Sequence, residues 1–132
     1  MTNDYINISA IETHLDSVIR KKVCKRCYAG TLPSTLQEGA MDMVVIDCGN
    51  IKDLNAYGGG IVNIYLYAQP MKGLKNVAAL SKLEKAFSKA LSTDAFDSEH
   101  YSVARETDYS DTGYDSTYNM HYNMKAIHLT II

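Results

Sequence analysis

Between Asn76 and Leu91, the residues Val77, Leu80, Leu83, Phe87, Ala90 and Leu91 recur at spacings that put all six on one stripe of a helix. Ser81, Lys82, Lys85, Ser88 and Lys89 fall on the other side, so one face packs on a sheet and the other is wet. Just upstream, Ile61 to Ala68 alternates with a period of two. Val62, Ile64, Leu66 and Ala68 share one face; Ile61, Asn63, Tyr65 and Tyr67 share the other. A chain carrying both patterns folds by laying helices against strands.

The remaining elements extend that plan. A first helix is expected to open at Ser9, with Glu12 completing a capping box, and to end near Lys22. Its stripe is Ile11, Leu15, Val18 or Ile19, and Val23. A brief strand around Cys27 and Tyr28 is closed by Gly30 and Leu32-Pro33, and a β-branched strand follows over Met41 to Asp47, stopped by Cys48-Gly49-Asn50. That strand and Ile61–Ala68 are expected to pair antiparallel across a long exposed loop. Pro70 and Gly73 precede the second helix, which Asn76 caps. Tyr101 to Arg105 reads as a strand, and the acidic segment around Gly113 as a hairpin loop. From Thr117 to Ile132 the apolar parity changes phase, from Tyr118, Met120, Tyr122 and Met124 to Ile127, Leu129 and Ile131. A bulge near Ala126 explains the change; so does a strand whose first half reaches toward a neighbour. The order helix, strand, strand, strand, helix, strand, strand predicts an α+β fold: a mixed, mainly antiparallel sheet with two helices packed on it.

The 132 residues amount to one domain, 1–132, with 46% hydrophobic and 21% charged residues, which argues against disorder. No apolar stretch approaches the ~20 residues of a membrane helix, and the N-terminus has no signal-peptide pattern, so a reducing compartment and no membrane partner are expected. A net charge of -2 hides a segregation. Arg20, Lys21, Lys22, Lys25 and Arg26 put five positive charges into seven residues, while Glu106, Asp108, Asp111 and Asp115 form an acidic stretch. Two such poles favour directional self-association.

Residues that carry chemistry elsewhere are here placed poorly for it. Cys24-Lys25-Arg26-Cys27 has redox-motif spacing but follows a helix end, whereas a reactive thiolate sits at a helix start. Zinc would need Cys48 and a distant histidine as well. Two half-buried thiols at a helix–strand junction account for the motif more simply. Asp108, Ser110, Thr112 and Gly113 resemble the start of a calcium loop, yet Asn119 stands at the twelfth position. His14, His100, His121 and His128 lie in different elements, and Gly58-Gly59-Gly60 leads into a strand where a phosphate loop would open a helix. No catalytic residue, cofactor or metal is expected. The basic run suits either helix termination and solvation or polyanion contact, with Tyr28 near enough to stack on a base. A small nucleic-acid-binding module using residues 20–26 is therefore the alternative function.

Over nearly its whole length the chain resembles the tail-completion or tail-terminator proteins of long-tailed bacteriophages. Tyr28-Ala29-Gly30-Thr31-Leu32-Pro33 is similar to that family's lead-in, Asp42-Met43-Val44-Val45-Ile46 to its first long strand, and Gly60 to Ala68 to its central strand. Asn76 to Leu91 resembles the helix crossing the sheet. The resemblance implies a subunit without an active site, in a hexameric ring that ends the tail tube and joins it to the head. Its partners would be further copies of itself, the tube protein and the head–tail connector, with DNA passing through the lumen unbound. The place implied is the virion neck or tail, reached from the host cytoplasm during assembly. Tyr65, Tyr67, Tyr118, Met120, Tyr122 and Met124 are then candidate contacts between copies, sheltered only against a sister subunit, and Asp108, Asp111 and Asp115 candidates for a lumen or a tube-facing loop.

Overall fold

The computed structural model describes residues 7–30, 42–49 and 58–132. Leu32-Pro33, Met41, Asn50 and the loop expected over 50–57 lie outside the described residues. Within them the order is α1 (Ile8–Lys22), β1 (Cys27–Ala29), β2 (Met43–Asp47), β3 (Gly59–Ala68), α2 (Val77–Leu91), β4 (Tyr101–Val103), β5 (Tyr109–Asp115) and β6 (Met120–Ile131). None of the described helices is long and apolar enough to cross a membrane.

The strands form one mixed sheet in the order β1-β2-β3-β6-β4, with β5 also pairing β6. Only β1 with β2 is parallel; β2–β3, β3–β6, β4–β6 and β5–β6 are antiparallel. This is an α+β fold. α1 lies over β1 and β2, and α2 over β3 and β6. Ile11, Leu15 and Ile19 from α1 and Leu83, Phe87 and Leu91 from α2 close on Val44, Ile46, Val62, Ile64, Leu66, Ile127 and Leu129. Each such side chain, fully buried, stabilises the fold by about 1.5–3 kcal/mol.

The helices differ from expectation at their starts. Asn7, not Ser9, caps α1: its side chain accepts a hydrogen bond from the Ala10 N–H at 2.7 Å, so the helix begins before the expected box. Asn76 caps α2 as expected, its side chain accepting from the Ala79 N–H at 3.0 Å. Val77 is 65% exposed, because the first turn of α2 stands clear of the core.

The segment around Gly113 is strand β5, not a loop, with Glu106 and Asp108 preceding it; the hairpin turn is residues 116–119. Asp115 shapes it by accepting hydrogen bonds from the backbone N–H groups of Thr117 and Tyr118, and Asn119 takes the positive φ of 52° that closes it. Nor does β6 bulge. Its register with β3 runs unbroken from Ala68↔His121 to Gly59↔Thr130. The break lies in the strand facing it: Val103 pairs Leu129 and Tyr109 pairs Ala126, so six steps along β4–β5 match three along β6. The extra residues form an excursion over 104–108, pinned by Arg105, which bonds both Asp97 oxygens and the Val103 carbonyl. β4 also stops at Val103, two residues earlier than expected, because Arg105 turns out to Asp97.

Both parities of β6 are apolar because both faces of the sheet bury side chains. Met43, Val45, Tyr67 and Met120 form a second cluster on the face away from the helices, with Tyr28, Tyr65, Tyr118 and Tyr122 packed against it. Gly113 belongs to this face. A Cβ there would collide with the Tyr122 ring, so a glycine inside β5 lets that ring lie across the strand.

Candidate functional site

The structure divides the basic run into three parts. Arg20 is a structural residue: its guanidinium pairs with Asp16 at 2.9 Å, one helical turn back, and donates to the carbonyls of Lys25 and Cys27 at 3.3 and 2.6 Å. It is therefore withdrawn as a polyanion contact. The Arg26 carbonyl and the Gly30 N–H bond β2, which turns the Cys27 backbone groups to the outer edge, where Arg20 covers the carbonyl. Lys21 and Lys22 end α1 and face the last turn of α2. Lys25 and Arg26 lead into β1, exposed, with no carboxylate partner among the described residues.

Among the described residues β1 is one outer strand of the sheet, and β4 with β5 is the other. At that far side Glu106, Asp108 and Asp111 are exposed and make no ion pair among the described residues. Asp111 accepts from the Thr112 backbone N–H at 2.8 Å, which occupies a donor of this strand. Asp115 does not join them: it holds the hairpin turn and accepts a hydrogen bond from the Tyr67 hydroxyl at 3.1 Å, so it is withdrawn as a lumen-facing charge. Beside the free carboxylates Tyr109 and Tyr114 are 52% and 49% exposed. Their place on an outer strand was hidden in the sequence by the acidic, glycine-containing stretch around them.

The expected contact residues separate as well. Met120 is fully buried and Met124 and Tyr67 nearly so, all within their own chain, and they are withdrawn as contacts between copies. The expectation that this apolar side finds shelter only against a sister copy fails, because β2, β3 and β6 build a cluster around it. Tyr65, Tyr118 and Tyr122 remain half-buried; the Tyr65 and Tyr122 rings meet edge to face at 5.3 Å, and Tyr122 meets Tyr67 at the same distance. Burial, with the Asp115 carboxylate next, pushes the Tyr67 hydroxyl far above the ordinary tyrosine range, so it is a fixed hydrogen-bond donor.

The three cysteines are free thiols. Burial raises the pKa of Cys24 and of Cys27, and Cys48 is pushed up to about 12, again chiefly by burial. A raised thiol pKa works against the thiolate form that both nucleophilic attack and zinc ligation require. Among the described residues no cluster of three His, Cys, Asp or Glu side chains is placed to hold a metal. Of the calcium-loop spacing, Asp108 precedes β5, while Ser110 and Thr112 share one face of the strand but are spread along it by its rise, and their hydroxyls bond Lys125 and the Tyr122 carbonyl, so the set does not converge on one point. The four histidines stay apart. His14 meets the Tyr101 hydroxyl at 2.5 Å, joining α1 to β4, and burial lowers its pKa. His121 packs on Tyr114, and His100 lies 3.5 Å from Glu99.

No family model matches the chain, and no curated protein matches it.

Proposed function

We propose that this chain is a structural subunit of a phage or prophage neck, forming a ring that terminates the tail tube and joins it to the head. One observation carries the self-association: among the described residues the two outer sides of the sheet bear an excess of unpaired charge of opposite sign, carboxylates outnumbering Lys75, which reaches β5 at Thr112. Lys25 and Arg26 flank β1; Glu106, Asp108 and Asp111 flank and occupy β5. A head-to-tail contact brings unlike surfaces together in every copy, and repeated round an axis it closes a ring. Opposed charges favour that pairing and disfavour its reverse.

Backbone pairing is not what such a contact offers. Arg20 covers the Cys27 carbonyl at one edge and Asp111 takes the Thr112 N–H at the other, which blunts both against strand addition. The copies then meet through side chains, with Tyr109 and Tyr114 supplying apolar area beside the charges. The hexameric number, the tube and connector partners and the neck location rest on the family resemblance. In this arrangement Asp108 and Asp111 belong to the contact between copies, not to the lumen. Native mass spectrometry of the chain, alone and with tail-tube protein, tests the proposal. A hexamer that caps the tube is expected; a chain that stays monomeric and ignores the tube overturns it.

A further inference from the structure

We propose that Lys21, Lys22 and Lys89 form a binding cleft for phosphate groups carried by a nucleic-acid backbone. The two helix ends meet here, and a cavity of about 390 Å³ opens between them, lined by Lys21 and Lys22 from α1 and by Ala86, Lys89, Ala90 and Thr93. That volume lies within the roughly 300–1,000 Å³ of pockets that hold ligands. The small side chains of Ala86 and Ala90 leave room for a group to approach. Among the described residues no carboxylate lines the cleft.

With Lys21, Lys22 and Lys89 among its lining residues, the opening is a positive site suited to an anion. Helix termination does not account for Lys89. Three of the four carbonyls ending α2 already have partners: the Ser92 hydroxyl donates to the Lys89 carbonyl at 2.8 Å, the Thr93 hydroxyl to Ala90 at 2.8 Å, and the Ser92 N–H to Ser88 at 3.0 Å. The Lys89 side chain is thereby left for a ligand. Lysine, a compact point charge, suits a phosphate oxygen approached from several directions and reads no base sequence. Three contacts make a weak, sequence-independent grip, suited to a strand that must also move on.

The cleft goes beyond the ring contact, which uses Lys25 and Arg26, so the two stand or fall separately. Fluorescence anisotropy with duplex DNA of two unrelated sequences, at salt from about 50 to 200 mM, tests it. Three phosphate contacts predict an affinity loss of about fortyfold across that range, and Lys89→Gln reduces it to about twelvefold. Both sequences should behave alike. Tripolyphosphate separates the source of the phosphate: if it displaces DNA only at much higher phosphate concentration, the backbone is the ligand. Tripolyphosphate binding more tightly than the duplex overturns the nucleic-acid assignment, and a Lys89→Gln variant with the parent's affinity and salt slope overturns the cleft. Native mass spectrometry of the same samples reads the ring independently, since Lys89 takes no part in it.

Discussion

The two faces of the sheet are both apolar, but they are built from different side chains. Towards the helices the surface is aliphatic: Val62, Ile64, Leu66, Ile127 and Leu129 lie under α1 and α2. On the other side the surface is methionine and tyrosine, with Met43, Val45, Tyr67 and Met120 buried among half-buried Tyr28, Tyr65, Tyr118 and Tyr122. Tyrosine brings a large ring with a polar end, so this face packs while its rim stays wet.

The sharpest break in that comparison is Phe87→Ala, which opens a cavity where α2 meets the sheet and should cost about 3–5 kcal/mol in urea unfolding. On the tyrosine face Tyr67→Phe removes the hydrogen bond to Asp115, with an expected loss of about 1.5 kcal/mol and little change in far-ultraviolet circular dichroism. Gly113→Ala lifts the Tyr122 ring from Tyr65 and Tyr67, costing about 1 kcal/mol and altering the near-ultraviolet spectrum. Equal losses at Phe87 and Tyr67 would erase the distinction between the faces.

Acidity should also act on the helix side. His14 has a lower pKa folded than unfolded, so the unfolded chain binds more protons once the pH falls through about 6.5. Stability is then present in full above that pH and declines below it, as the half-buried imidazole takes up a charge. His14→Gln should flatten the urea midpoint between pH 7.5 and 5.5. Asp97, whose carboxyl Arg105 holds below the usual range, keeps its contribution until much lower pH. The smallest effects on folding are expected at Lys25, Arg26, Asp108 and Asp111, within about 0.5 kcal/mol, because all four are exposed.

How legible each region was follows from what builds it. α1 and α2 each carry one buried stripe, and periodicity displays a stripe directly; β3 shows its two faces for the same reason. β5 was not legible. It buries almost nothing and owes its extended form to pairing with β6, which local sequence does not record. The phase change in β6 was visible, but its cause lies in the excursion over 104–108 of the facing strand. The basic run looked like one feature because its residues are neighbours in sequence. Arg20 turned back onto Asp16 and the Cys27 carbonyl, Lys21 and Lys22 toward Lys89, and Lys25 and Arg26 outward, a separation that their adjacency in sequence does not show.

If opposite sides of the sheet recognise each other between copies, as proposed, exchanging their charges should break and then restore the assembly. One variant carries Lys25→Glu with Arg26→Glu; a second carries Asp108→Lys with Asp111→Lys. Native mass spectrometry should find each alone monomeric, since its two contact surfaces now repel, and an equimolar mixture restored to an alternating hexamer. Variants that assemble singly as the parent does, or a mixture that stays monomeric beside an assembling parent, would contradict the account.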